Sequence, residues 1–423
     1  MPRPIAFDVT HLASRLTIDS PSGIDKVDLA YAQYFSRSPC AAAVHYGLRR
    51  ARIFDSSTIP RLAEASAARW GTPTAHGDET VGKISAFVAA RHPDPPRPSP
   101  RTHERALTRL SRHIMQLDWR LSPSSRHLPQ GAIYLNVAQH IFENPRYFRW
   151  LNERRDVYPV FMVHDMLPLD IPEYFRAGYR ERFTRRADTI VGHARAIITT
   201  SQVVAERIRQ EYAFRKRPCV RIHTEPLPSS LPPASERLAD PRLSTHPYFV
   251  ILGTIEPRKN HLLLLNIWRR LAEETKDPPK LLILGSRGWD NEQVVDVLDR
   301  STLVRPHVLE VPRLDDHGLL KILANSRGLL MPSFAEGYGL PIVEALSLGV
   351  PVVASQIPVF QEVSQGRAVL IHPLDGLAWK RAIVELNSSE SPMTTRARAA
   401  AALFRPPSWG GYFEGIGKFL GEL

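Results

Sequence analysis

The chain has 423 residues, 43% hydrophobic and 23% charged, values of a globular protein long enough for two or three domains. Fifty-five Lys and Arg against 43 Asp and Glu give a net charge of +12, which favours anionic partners such as nucleotides or phospholipid headgroups. Cys40 and Cys219, the only cysteines, are too few for a disulfide framework or a zinc site and fit a reducing compartment. No signal-peptide stretch follows Met1 and no run approaches 18 apolar residues, so a cytoplasmic protein without a membrane span is expected. Without zinc-finger spacing or the signature of an RNA-binding sheet, nucleic acid is disfavoured as a partner.

Ile5 to Val9 reads as a first strand, followed by the loop Pro21-Ser22-Gly23 and a helix from Ile24 to Phe35. A glycine loop in that place admits phosphates in doubly wound sheets, although a plain turn glycine reads equally well. Ala41 to Gly47 is a second strand, after which strand-helix alternation is lost. Residues 91 to 130 carry eight Arg, three Asp or Glu and seven Pro, the composition of an exposed excursion. Within it, Leu107, Leu110, Ile114, Leu117 and Leu121 recur at helical spacing between Arg105, Arg109, Arg112 and Arg120. This basic amphipathic stretch either packs on its own domain or contacts an anionic membrane or a partner.

Alternation resumes with strands at Ala132 to Val137 and Tyr158 to Val163, a basic aromatic helix around Tyr147 to Arg155, and the pair His164-Asp165 ending the second strand. A helix ending at Arg186, a strand at Ala196 to Thr200, a helix from Ser201 to Arg209 and a strand at Cys219 to His223 follow. Residues 226 to 247 form a proline-rich linker. The second half reads strand Tyr248 to Leu252, helix His261 to Glu273, strand Lys280 to Leu284, helix Gln293 to Asp299, strand Val308 to Val311 and helix Asp316 to Ala324. An apolar strand at Leu329 to Met331, a glycine turn, a helix and the strand Val350 to Ala354 complete it. Strands separated by such helices predict parallel doubly wound sheets. The expected units are 1–240 (with a basic, Pro-rich insertion at about 50–130), 241–405, and a terminal helix, 406–423, that crosses back to the first unit. A cleft between two such halves would lie at the C-terminal strand ends.

Two stretches of the second half carry chemistry. In Leu329 to Gly349, Gly337 and Gly339 form the turn, Pro341 suits a first helical turn, and Glu336 and Glu344 bracket the helix N-terminus. Carboxylates there accept hydrogen bonds from vicinal hydroxyls, and the free N–H groups attract anionic ligands; an ordinary turn with two solvated glutamates is the plain alternative. Gly253 to Asn260 (GTIEPRKN) places Arg258 and Lys259 in a strand-to-helix loop before Asn260, a candidate cap. Adjacent cations suit a diphosphate, or they are simply exposed. Gly285 and Trp289 end another strand, beside a base, beside a sugar, or as loop packing. His164 is either an internally bonded histidine or a neighbour of a transferred group. Neither a carboxylate cluster with Mg²⁺ spacing nor a nucleophile elbow is present.

The segment FAEGYGLPIVEALSLGVPVVAS, with GTIEPRKN, the Gly285 loop, VHDMLPLDIPEYF at 163 to 175 and TTSQVVAERI at 199 to 208, resembles retaining glycosyltransferase family 4, of the bacterial polysaccharide and O-antigen type. The resemblance covers the second domain and roughly residues 130 to 225. It implies the α/β GT-B fold, two Rossmann-like doubly wound domains around a cleft, and transfer of a hexose from a nucleotide-diphosphate sugar to a saccharide or lipid-linked acceptor. It implies that Arg258 and Lys259 hold the donor diphosphate, Glu344 the ribose, and Glu336 with the backbone of Gly337, Tyr338, Gly339 and Leu340 the transferred sugar. Gly253 and Gly285 would lie along the donor, His164 would face the sugar from the acceptor side, and Gly23 would mark a loop closing over the diphosphate. It further implies retention of configuration, no required metal or cofactor, and a mannosyl or rhamnosyl group carried on GDP or dTDP in preference to UDP. A location at the inner face of the cytoplasmic membrane would bring the enzyme to a lipid-linked acceptor. Three alternatives stay open: a sugar-nucleotide epimerase of the same fold, an inactive scaffold, and a nucleic-acid binder.

Overall fold

Segments such as Tyr158–Val163 and Lys280–Leu284 bury nearly every side chain, and a strand apolar on both faces needs a sheet covered on both sides. In the computed structural model, which describes residues 3–18, 21–37, 42–47, 50–71, 75–90, 127–231, 239–312 and 314–423, two sheets meet that demand. The first holds β1 (Ile5–Asp8), β2 (Ala42–Gly47), β3 (Arg50–Phe54), β4 (Ile133–Asn136), β5 (Tyr158–Val163), β6 (Ala196–Thr199) and β7 (Arg221–Thr224). Its order is β3-β2-β1-β4-β5-β6-β7, parallel except for β3, which runs antiparallel to β2. The second is wholly parallel and contains β8 (Tyr248–Leu252), β9 (Lys280–Leu284), β10 (Val308–Val311), β11 (Gly328–Met331), β12 (Val352–Ser355) and β13 (Val369–Ile371) in the order β10-β9-β8-β11-β12-β13.

Each sheet therefore reverses direction once, between β1 and β4 in the first and between β8 and β11 in the second. The helices flanking those strands diverge at such a switch point and leave a crevice at the C-terminal strand ends. His11 follows β1, His140 β4, His164 β5, Arg258 and Lys259 β8, Gly285 β9 and Glu336 β11.

Several boundaries differ from the sequence reading. Beyond Gly47 order is not lost: β3 pairs with β2 as a hairpin and the helices Thr58–Gly71 and Ala75–Ala89 follow. The second of them carries an apolar stripe at helical spacing, Val81, Ile84, Phe87 and Val88, all buried. The strand read at Cys219 to His223 is Arg221–Thr224, an edge strand with a polar, half-exposed face, and Pro351 delays β12 to Val352. The helix around Tyr147 to Arg155 is a 3-10 turn, Pro145–Phe148, followed by Trp150–Glu153. The helix after Ser201 runs to Phe214. The basic stripe of Arg105, Arg109, Arg112 and Arg120 lies outside the described residues, and so does its expected membrane contact. Among the described residues no helix is long and apolar enough to cross a membrane.

The last helix, Trp409–Gly421, packs on the first sheet's domain although the chain reaches it from the second. Its aromatic face explains why: Phe413 stacks on Tyr34 at 4.2 Å and meets Tyr31 edge-on at 5.2 Å. Tyr412 and Tyr31 share a hydroxyl hydrogen bond of 2.8 Å, and Phe419 stacks on His223. Ser408 accepts a hydrogen bond from the Gly411 N–H at the helix start. Replacing Phe413 by Ala should cost about 3 to 5 kcal/mol, the range for emptying a buried aromatic site. Equilibrium denaturation measures this directly, and a loss under about 1 kcal/mol would show that the helix is not anchored here.

Candidate active site

After β8 the chain turns at Gly253, whose φ of +136° suits glycine. A Cβ built on Gly285, at the end of β9, would stand 2.0 Å from the Gly253 carbonyl oxygen, so these two glycines let adjacent strand ends touch. Pro257–Lys259 forms a 3-10 turn leading into the helix His261–Glu274. Asn260 is the N-cap residue, but its side chain does not cap the helix. Its left-handed backbone (φ +56°) turns the amide elsewhere, to the carbonyls of Pro332 and Pro373 at 3.1 Å each. Together with the Phe334 N–H donating to the Arg258 carbonyl at 2.8 Å, this ties the end of β8 to the end of β11.

That tie assembles a buried ionic cluster. Arg258 reaches Glu336 at 2.6 Å and Glu256 at 2.5 Å, and Lys259 reaches the other oxygen of Glu336 at 2.5 Å. Ser333 also donates to Glu336, at 2.9 Å. Burial opposes ionisation of Glu336, yet Lys259 and Arg258 outweigh it and hold its pKa down at about 2. Glu256 is shifted the other way, raised by burial against the same two cations. The two glutamates balance the two cations, and a dianionic group brought here would compete for the same N–H donors.

After Glu336 the chain turns at Gly339 (φ +102°) and enters the helix Leu340–Ser347, with Pro341 in its first turn. Glu344 is buried on this helix and accepts a hydrogen bond from the Ser230 hydroxyl at 2.6 Å. Burial raises its pKa, against Lys26 and Ser230, which lower it. Lys26 belongs to the first domain and bridges Asp316 of the second at 2.6 Å. Tyr338 is buried, its hydroxyl donating to the Leu227 carbonyl. Neither glutamate is the solvated side chain of the plain sequence alternative.

The first domain closes the opposite side. A Cβ on Gly337 would lie 2.9 Å from Asp165 Cβ and 3.0 Å from the His164 carbonyl, so only glycine lets the two halves meet here. His164 follows β5, and its Nε2 donates to the Val137 carbonyl at 2.8 Å. Burial pushes its pKa down to about 4, with His11 nearby adding to the shift, so the ring is neutral and Nδ1 carries a lone pair. Gly23 opens the helix Gly23–Phe35, and a Cβ there would touch Leu340 across the domains at 3.7 Å.

Trp289 is fastened between domains, donating to the Tyr174 carbonyl at 3.3 Å with Arg176 over its ring at 5.1 Å. Tyr174 also stacks on Phe334 at 5.3 Å. Sequence reasoning missed Glu256, Ser333, Asp165, Lys26 and Ser230, whose roles arise from tertiary pairing. It also missed Asp25, for which Ser22 three residues earlier was an available capping signal. Among the described residues no group of three or more His, Cys, Asp or Glu is placed to hold a metal ion.

Residues 236–402 match the model of the glycosyl transferases group 1 family. The match takes in most of the second domain. All four members of the ionic cluster, with Gly253, Gly285, Gly337, Tyr338, Gly339, Leu340 and Glu344, lie within it. The whole chain superposes on sucrose-phosphate synthase from Thermosynechococcus elongatus with a TM-score of 0.60, covering 99% of this chain and 98% of that one at 15% identity. The two sheets and their helices are therefore a GT-B fold. The serotype-specific mannosyltransferase WbdA of Escherichia coli is 30% identical over 251 residues, 56% of this chain and 30% of that protein. The O-antigen chain mannosyltransferase B of Escherichia coli is 29% identical over 284 residues, 64% of this chain and 71% of that protein. The chain thus spans about a third of the length of WbdA.

The neutral His164 makes the domain acid-sensitive. Its folded pKa of about 4 lies below the ordinary 6.5, so between those pH values the unfolded chain holds a proton that the folded chain does not, and stability rises with pH across that window. Acidification from pH 6.5 to 4 should therefore weaken the fold. His164→Gln, which keeps a donor where Nε2 sits, should remove about 2 kcal/mol of that loss, after a discount for the partial exposure of the ring. Urea denaturation at both ends of the window reads it; an unchanged pH slope would contradict the assignment.

Proposed function

We propose that the protein is a retaining hexosyltransferase of glycosyltransferase family 4. It moves a sugar, mannosyl or rhamnosyl in preference, from a nucleotide-diphosphate donor to a saccharide or lipid-linked saccharide during assembly of a bacterial surface polysaccharide. The observation that carries this reading is the pairing of Arg258 and Lys259 with Glu336 at the switch point of the second sheet, within the group 1 match. Two O-antigen mannosyltransferases among the relatives support the choice of sugar and polymer.

In this reading the donor diphosphate sits against Arg258 and Lys259, and the charge that develops as its bond to the sugar breaks is met by cations already in place. Glu344 accepts the ribose hydroxyls in the manner in which it accepts the Ser230 hydroxyl. Glu336, spread over Arg258, Lys259 and Ser333, is a poor nucleophile and a good hydroxyl acceptor, so it orients the sugar rather than bonding to it. Retention then follows from attack on the face the phosphate leaves: the acceptor oxygen bonds to the anomeric carbon, the carbon–phosphate oxygen bond breaks, and the acceptor proton passes to that phosphate oxygen. His164 and Asp165 border this space from the first domain, where the acceptor enters.

Lys259→Ala should lower kcat by about 10² to 10³, or about 2 to 4 kcal/mol, the scale of one preorganised charge contact. Steady-state assay with a sugar nucleotide measures it, and wild-type turnover would contradict the diphosphate assignment. Because the neutralising cations are side chains, turnover should persist in excess EDTA. A complete loss that Mg²⁺ or Mn²⁺ restores would overturn the metal-independent reading.

A further inference from the structure

The switch point of the second sheet is taken up by the donor cluster, while that of the first sheet holds a second set of polar side chains without an assigned task. His11 follows β1, His140 follows β4 and His164 follows β5, three adjacent strands of one sheet. The rings of His11 and His140 lie 5.6 Å apart. Burial holds down the protonation of His140 and His164, and the proximity of His11 adds to the effect on both. Three imidazoles therefore cluster at the C-terminal ends of these strands, and the carbonyl of one of them, His164, lies against the Gly337 turn.

His11 is held in a way that determines what it offers. Its Nε2 is 2.8 Å from Asp25 Oδ1, and Asp25 is fully buried while the His11 side chain is 17% exposed. Asp25 also takes two hydrogen bonds from Arg15, at 2.8 and 2.9 Å, and one from the Ser22 N–H at 2.6 Å. Burial opposes its ionisation, but His11, Arg15 and Ser22 together keep its pKa well below the usual carboxylate range. A carboxylate so loaded can only accept, so Nε2 donates to it and Nδ1 is the ring nitrogen left to meet a ligand. Asp25 is also the capping-box residue of the helix that starts at Gly23, so ring orientation and the Gly23 loop share one anchor. Among the described residues Nδ1 has no hydrogen-bond partner.

Resting on the glycosyltransferase reading, we propose that His11 is an acceptor-binding residue: its Nδ1 accepts a hydrogen bond from an acceptor-sugar hydroxyl neighbouring the one that attacks. Asp25 is its positioning residue. His11 takes no part in proton transfer, since the attacking hydroxyl gives its proton to the departing phosphate. The chemistry selects a polyhydroxylated saccharide over a simple alcohol.

The test compares His11→Leu, His11→Asn and His11→Gln in transfer from GDP-mannose to octyl glycosides of mannose, glucose and galactose, with GDP binding followed by thermal shift. Asn places an oxygen where Nδ1 sits, whereas Gln replaces Nε2 and preserves the bond to Asp25. His11→Leu should raise the acceptor KM at least tenfold with the donor KM within twofold of wild type. His11→Asn should recover to within about threefold of wild type, and His11→Gln should stay with Leu. Rescue by Gln as good as by Asn, loss of activity in all three, a rise confined to the donor KM, or wild-type kinetics in every variant would each overturn the inference. A wild-type protein that binds GDP but mannosylates none of the glycosides would overturn it too, leaving the donor site standing. A protein that neither binds a nucleotide diphosphate nor turns over a sugar nucleotide would instead fail the functional reading itself.

Discussion

A single buried carboxylate, Glu336, is shared by the ends of two neighbouring strands, and the organisation of the donor side depends on it. Arg258 and Lys259 come from the loop after β8, and Glu336 from the loop after β11. Burying two adjacent cations in one turn would be strongly unfavourable alone, because each loses its hydration and repels the other. Glu336 and Glu256 make the arrangement possible by neutralising both. The consequence is a pair of cations held in place beside the cleft by carboxylates from two loops.

Around that cluster, glycines set how closely backbones approach. Gly285 admits the Gly253 carbonyl, and Gly337 admits His164 and Asp165 from the other domain. These contacts bring the C-terminal ends of two separately folded sheets within reach of one small ligand. Polar bonds across the domains hold the same geometry: Lys26 to Asp316, and Glu362 accepting from the Gln202 and Val203 N–H groups at the start of the helix Gln202–Phe214. A carboxylate from one domain thus satisfies a helix N-terminus of the other. Relative motion of the two domains would have to break these bonds. The last helix, which belongs to one domain by sequence and to the other by packing, limits that motion further.

Much of this arrangement was legible because it follows short-range rules. Tyr248 to Leu252, Lys280 to Leu284 and Val308 to Val311 are apolar runs of strand length between amphipathic helices, and they are β8, β9 and β10 residue for residue. Pro341 after a glycine turn marked the helix that carries Glu344. What escaped depends on how the chain folds back on itself, within one loop or across the sequence. Glu256 read as an ordinary loop residue, because its task depends on Arg258 folding back within 2.5 Å. Ser230 lies 114 positions from Glu344, and Lys26 is separated from Asp316 by 290, distances over which no periodicity carries information. Asn260 misled for a local reason: a good capping side chain in a left-handed backbone points away from the N–H groups it would cap. The hairpin β2–β3 and the two helices after it were missed, although Val81, Ile84, Phe87 and Val88 of the second form a buried stripe at helical spacing.

The central claim, that Arg258 and Lys259 form a seat for a diphosphate, is tested most directly by calorimetric titration with GDP and GMP, which share base and ribose and differ by one phosphate. The cation pair predicts that GDP binds the wild-type protein at least about tenfold more tightly, a difference of about 1.4 kcal/mol or more. In Lys259→Ala that gap should shrink to less than about threefold while GMP affinity stays the same. Equal binding of GDP and GMP to the wild type, or a gap that survives in Lys259→Ala, would contradict it.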